Sequence, residues 1–200
     1  MIAKHPHLIV IAGANGAGKS TTAPSLLKGT LDVTEFVNAD LIAQGLSAFH
    51  PEMTAFHAGR VMLERLHYLA HKQVDFAFET TLASRSFAPW IAELKASGYD
   101  FHLVFLYLPN DDFAVARVAE RVRTGGHDVP EATIRRRYRT GLENFFKLYQ
   151  VLSDTWRFYD NSKPTGPRLI ASGRGQEYDK VIDVETWDTI MRQFIHGKQS

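Results

Sequence analysis

Apolar residues run without interruption from Leu8 to Ala12 and are rich in β-branched side chains, the pattern of a central parallel strand buried on both faces. Gly13 breaks the run and opens a glycine-rich turn. From Lys19 through Leu27 the chain can form a helix, provided Pro24 falls within about its first turn, where no N–H is needed. A short strand around 35–38 then delivers Asp40 into a loop. Residues 51–72 repeat apolar positions at helical spacing and direct Ala55, Val61, Leu66 and Leu69 toward the core. Val74 to Glu79 reads as a second buried strand ending in a carboxylate, followed by Thr80-Thr81 and a helix from about 87 to 97 that Gly98 closes. Phe101 to Leu108 is a third strong strand, ended by Pro109, which lacks a backbone donor. Two helical regions, 113–124 and 131–152, flank Gly125-Gly126, and strands at 156–160 and 168–172 follow, the last paired as a hairpin. Strands alternating with helices predict an α/β fold: a parallel sheet covered by helices on both faces, in one domain spanning 1–200.

Composition fits an ordinary globular chain, with 44% hydrophobic and 22% charged residues. A formal charge of +1 leaves no global field to recruit nucleic acid or an anionic membrane, so any anion site has to be local. The absence of cysteine excludes disulfides, thiol catalysis and Cys-based metal sites and fits a reducing, cytoplasmic compartment. The apolar N-terminal run is too short, and too soon broken by Gly13, for a signal sequence or a membrane span.

The local site is Gly13-Ala14-Asn15-Gly16-Ala17-Gly18-Lys19-Ser20, a full match to the eight-position P-loop pattern, preceded by a strand and followed by a helix. Its glycines let successive N–H groups converge on phosphate oxygens, and the helix adds the positive end of its dipole. Lys19 would neutralise charge between the β- and γ-phosphates of ATP, and Ser20 would offer its hydroxyl to Mg²⁺, with Thr21 beside them. A strand-to-helix turn that binds nothing would not need Lys and Ser at those places.

No Asn-Lys-x-Asp guanine signature or Ser-Gly-Gly-Gln transporter signature is present, and the strand that would hold a motor's Asp-Glu pair ends in Glu79-Thr80-Thr81. A small-molecule kinase needs a phosphate cradle, a carboxylate for the acceptor hydroxyl, and arginines for the moving phosphoryl group. Asp40, 21 residues after Lys19 at the carboxyl end of the second strand, is the candidate carboxylate. An Asx turn or a helix N-cap accounts for it equally well. Glu79 is a candidate for acceptor hydroxyls or a magnesium-bound water, against a plain helix-capping role. Seven arginines, Arg117, Arg121, Arg123, Arg135, Arg136, Arg137 and Arg139, crowd a stretch holding only Glu120, Asp128 and Glu131. Arg117 and Arg121 share a helix face and repel unless an anion lies near, while solvated helix faces account for at least three of the seven. Gly125-Gly126 suits the flexible tip of an arginine-rich helical lid at about 113–140.

This combination resembles the zeta toxin family and its relatives, small P-loop kinases typified by UDP-N-acetylglucosamine kinase. The resemblance rests on the phosphate loop, Phe36-Val37-Asn38-Ala39-Asp40, Phe78-Glu79-Thr80-Thr81, and the stretches 121–130 and 134–138, and it runs from about residue 7 to 175. It implies a P-loop NTPase-type, kinase-like fold and phosphorylation of a hydroxyl on a nucleotide-sugar, with ATP and Mg²⁺. It further implies Asp40 as the base, Glu79 and Thr81 (with Arg117 nearby) holding the acceptor, and Arg121 with one arginine of the run Arg135, Arg136 and Arg137 on the moving phosphoryl group; the spacing across the lid does not choose among the three, and Arg136 is favoured. Asn161, in Asp160-Asn161-Ser162, resembles residues on the nucleotide-base side, beside a turn-forming reading. A small antitoxin partner is compatible with the family, and no membrane partner is expected. A nucleotide-gated toxin–antitoxin partner protein is the alternative from another class. A polynucleotide 5′-hydroxyl kinase ranks lower, because Tyr138 is the lone aromatic in the basic patch and a strand-binding surface needs several.

Overall fold

The computed structural model describes residues 5–30, 33–47 and 54–193. Its centre is β1 (His7–Gly13), in which every residue from Leu8 onward is buried; since successive side chains point to opposite faces, the strand is covered on both. It pairs in parallel with β3 (Phe76–Thr80) on one side and β4 (Asp100–Tyr107) on the other. β2 (Glu35–Val37) adds a three-residue parallel edge, and β5 (Thr155–Asp160) pairs in parallel with β4. The sheet then changes character. β6 (Arg168–Arg174) and β7 (Glu177–Val181) continue it antiparallel, giving the order β2-β3-β1-β4-β5-β6-β7. The parallel sheet expected from the sequence is thus present, with an antiparallel end. The 168–172 strand does run antiparallel beside β5, but it extends into a second hairpin that apolar patterning misses, because all of β7 except Val181 is exposed.

α1 (Lys19–Thr30) starts inside the phosphate loop, which makes Pro24 its sixth residue and not a first-turn proline. The loop fixes where the helix begins, and the helix tolerates one absent backbone bond as a result. α2 (Ala39–Leu46) begins immediately after β2, so Asp40 lies in a first helical turn and not in a loop. In α3 (Ala55–His71), Leu66 and Leu69 are buried as the spacing predicts, but Ala58 and Met62 complete the core face while Val61 is half-buried. The side chain of Ala55 and residues 51–53 lie outside the described residues.

α4 (Phe87–Ala96) packs between β3 and β4 in the chain order, and α5 (Asp111–Arg123) and α6 (Glu131–Asn144) carry the arginines. The 131–152 helix predicted as one piece is interrupted by a π-helical turn, Phe145–Tyr149, before the short α7 (Gln150–Leu152). Ala114 and Val118 of α5, and Ile134, Tyr138 and Leu142 of α6, are buried, so the arginine-bearing pair is docked on the core. Gly125-Gly126 is not a loose tip. Gly126 N–H donates to the Arg121 carbonyl at 2.8 Å and Gly125 N–H to the Val122 carbonyl at 3.0 Å, which is a Schellman cap on α5. Finally α8 (Val184–Met191), which the sequence pattern did not reveal, stacks Trp187 on Trp156 with ring centroids 5.8 Å apart.

Candidate active site

The phosphate loop, β2's end and β3's end meet at the carboxyl edge of the parallel strands, where open α/β sheets take ligands. Gly18 has φ +79°, a left-handed conformation, and a Cβ there would lie 2.7 Å from Asn161 Nδ2. That amide donates to the Ala17 carbonyl at 2.8 Å, and Asn161 is buried. Asn161 thus braces the loop from behind. Its Nδ2 is engaged by loop backbone, a bracing role that the sequence reading did not include.

A cleft of about 460 Å³ opens over the loop, lined by Asn15, Gly16, Gly18, Lys19, Ser20, Thr21, Asp40, Glu79, Arg117 and Arg121 among others. A second hollow continues past Asp40 and Glu79 to Thr81, Met62, Phe87 and Arg137. Asp40 and Glu79 stand at the junction of the two. Lys19 Nζ donates to the Ala14 carbonyl at 3.0 Å. Burial pulls its ammonium below the ordinary value, against the attraction of Glu79 and Asp40. Burial likewise raises Glu79, opposed by Lys19 and by Ser20 Oγ, which donates to Glu79 Oε2 at 2.8 Å.

Asn38 is a site residue that sequence reasoning left unassigned. Its Oδ1 accepts from the N–H of Asp40 at 2.7 Å and of Leu41 at 3.1 Å, capping α2, while its Nδ2 donates to Ser20 Oγ at 3.2 Å. One amide therefore fixes both Asp40 and Ser20. An asparagine directly before an acid-bearing helical start was the available signal.

The arginines divide. Arg135 is engaged by Asp111, Asp112 and Glu131, Arg139 by Asp111, and Arg123 by Glu120. Arg117 donates to the Ser162 carbonyl at 2.8 Å and lies over the Phe113 ring, at the mouth of the cleft. Arg121 donates to the His127 carbonyl at 2.6 Å, and its Nε is buried with no partner among the described residues, a donor fit for a phosphate oxygen. Arg136, favoured from the sequence, is exposed and does not line either hollow. Arg137 reaches the loop instead, Nη1 donating to Asn15 Oδ1 at 3.3 Å, and burial lowers its pKa. The reason is helical geometry: with Ile134, Tyr138 and Leu142 facing the core, a 100° step per residue leaves 137 flanking that face and turns 136 away.

These residues fit a nucleotide triphosphate and its cation: the loop amides with Lys19, Arg117 and Arg121 for the phosphates, and the Ser20 hydroxyl with the Glu79 carboxylate for a hard divalent metal. No described helix is long and apolar enough to cross a membrane.

Comparison with known proteins agrees with the geometry. An uncharacterized protein of Haemophilus influenzae is 29% identical over 131 residues, covering 65% of this chain and 91% of its own. A chain of the AvrRxo1-ORF1:ORF2 complex crystallised with ATP superposes with a TM-score of 0.72 at 16% identity over 94% of this chain. This chain spans 64% of that one, less than two thirds of its length. A chain of the PezAT chromosomal toxin–antitoxin system of Streptococcus pneumoniae gives 0.64 at 15% identity, with 99% of this chain and 81% of that chain covered. At such identities these likenesses establish the P-loop kinase fold alone. The zeta toxin family model, however, matches residues 2–164, across the phosphate loop, Asp40, Glu79 and the arginine helices. The chain belongs to the zeta toxin family.

Proposed function

We propose that the protein transfers the γ-phosphoryl group of ATP to a hydroxyl of a nucleotide-linked sugar of the UDP-N-acetylglucosamine class. The observation that carries the reading is that Asp40 and Glu79 lie at the junction between the phosphate cleft and the second hollow. An acceptor seated beside Thr81 and Phe87 has its hydroxyl between Asp40 and the phosphate loop. Asp40 takes the hydroxyl proton as the acceptor oxygen bonds to the γ-phosphorus and the bond to the β–γ bridging oxygen breaks, releasing ADP. Lys19, Arg121 and Arg137 stabilise the charge that builds on the transferring group. Ser20 and Glu79 would hold Mg²⁺, which would supply neutralising charge to the phosphates.

Two structural neighbours come from assemblies, one a toxin–antitoxin system, which supports a small antitoxin as a partner. The test uses γ-labelled ATP with a panel of UDP-sugars and a 5′-hydroxyl oligonucleotide. Label is expected on a UDP-sugar and lost in Asp40→Ala, while calorimetry shows nucleotide binding retained. Label on the oligonucleotide alone, or product formed at the wild-type rate by Asp40→Ala, overturns the reading.

A further inference from the structure

The turn that carries Thr81 away from β3 is held only in part by its own residues. Leu82, a fully buried leucine, takes φ +55°, a conformation that costs a branched side chain energy and persists only where surroundings impose it. Within the turn the support is local: Thr80 Oγ1 accepts from the Leu82 N–H at 3.1 Å. The rest comes from one face of the helix that follows α5. At Gly141 a Cβ would lie 2.3 Å from the Thr81 carbonyl oxygen, so the helix backbone is pressed directly on that carbonyl. Asn144, buried, donates through Nδ2 to the Leu82 carbonyl at 2.7 Å. Tyr149 donates through its hydroxyl to the Ser84 carbonyl at 2.6 Å.

The spacing explains how one helix does this. Arg137, Gly141 and Asn144 stand at i, i+4 and i+7, a single stripe. An α-helix would then carry the residue five further on away from that stripe. The chain instead becomes π-helical from Phe145 to Tyr149, with the Gln150 N–H donating to the Phe145 carbonyl five residues back, and that wider turn brings Tyr149 onto the same side. Arg137, at the near end of the stripe, reaches Asn15 of the phosphate loop at 3.3 Å.

We propose that this stripe is a strut setting the distance between the phosphate loop and the acceptor-side turn, and that Asn144 is a positioning residue for the acceptor. The inference rests on the reading of the hollow beside Glu79 and Thr81 as the acceptor site. Asn144 acts through the Leu82 carbonyl and touches neither substrate. Its loss lets the turn relax toward ordinary backbone and moves Glu79 and Thr81 relative to Asp40, while Lys19 and the loop amides keep their places.

The experiment compares wild type with Asn144→Leu, which roughly keeps the volume and removes the donor without adding charge, and with the gentler Tyr149→Phe. The expected result for Asn144→Leu is a fall in kcat/KM for the UDP-sugar of about tenfold, as for one buried hydrogen bond lost, with the KM for ATP within about twofold of wild type. Tyr149→Phe should move the same parameter in the same direction by less. Amide hydrogen exchange supplies a readout that needs no turnover: residues 80–86 should exchange faster in Asn144→Leu, with residues 13–20 unchanged. A wild type inactive on every UDP-sugar overturns the functional reading, and the exchange pattern then decides the strut by itself. Unchanged exchange at 80–86, or KM values for both substrates rising together, overturns the strut.

Discussion

Gly141→Ala sets two physical arguments against each other. Gly141 lies in the interior of α6, where alanine is the better helix former by ~1 kcal/mol, so propensity alone predicts stabilisation. The contact argues the opposite. The new methyl would fall 2.3 Å from the Thr81 carbonyl oxygen, where ordinary contact begins at 3.4 Å, and that neighbour is backbone with no rotamer to swing aside. Relief requires the helix and the turn to part by about an ångström. Overpacking of this kind costs ~1–3 kcal/mol. The same movement stretches the Asn144-to-Leu82 bond from 2.7 Å out of hydrogen-bond range and leaves a buried carbonyl unpaired, a further ~1–3 kcal/mol. After the helix gain is set against these, the net loss is ~1–5 kcal/mol, or about 2–4 °C in Tm for each kcal/mol in a chain this long. Gly59→Ala is the matched control, because Gly59 lies inside α3 and a Cβ there meets nothing within 4 Å. Thermal and urea unfolding of the two variants should shift in opposite directions. A Gly141→Ala protein as stable as Gly59→Ala would show that the close approach does not exist.

Two further outcomes follow from the site and the sheet. Arg137→Ala should reduce phosphoryl transfer by about a hundredfold or more, as for a charged donor removed from a transferring phosphate, while Arg136→Ala stays within about threefold; equal losses in steady-state kinetics would refute the division drawn between them. At the other end of the sheet His102 contacts His7, ring nitrogen to ring nitrogen, at 3.0 Å and Thr155 Oγ1 at 2.8 Å. Burial chiefly, then His7, lower its pKa from 6.5 against the pull of Asp100 and Asp154, with Arg157 adding the smallest lowering effect. A histidine whose folded pKa lies below its unfolded one contributes stability above the unfolded value and loses it as pH falls through 6.5 toward the folded value. The urea midpoint should therefore drop between about pH 7.5 and 5.5, and drop less in His102→Asn; identical slopes would remove His102 as the cause.

The phosphate loop and the buried strands were legible in the sequence because each is a local pattern: Gly13 to Ser20 sits between an apolar run and a helix, and β1, β3 and β4 are apolar over most of their length. What escaped depended on distant partners. Arg136 and Arg137 differ only in which side of α6 they occupy, and that is set by Ile134, Tyr138 and Leu142 finding the core. Asn38 and Asn144 read as turn and helix residues until Ser20 and the Leu82 carbonyl are brought beside them. The π-helical turn leaves no periodic trace in five residues, of which Phe145, Phe146 and Tyr149 are buried. β7 was missed for a simpler reason, since its outward residues Glu177, Asp179 and Lys180 look like loop.

That last strand bears on the outer margin of the sheet. A sheet presents unpaired amides and carbonyls along its outer strands, and a long apolar margin would invite another molecule to continue the ladder. Here one margin is only three residues long, and the other carries Glu177, Asp179 and Lys180, so a second copy docking there would have to strip water from fixed charges. Shortness at one margin and charge at the other both oppose extension of the ladder by a further strand.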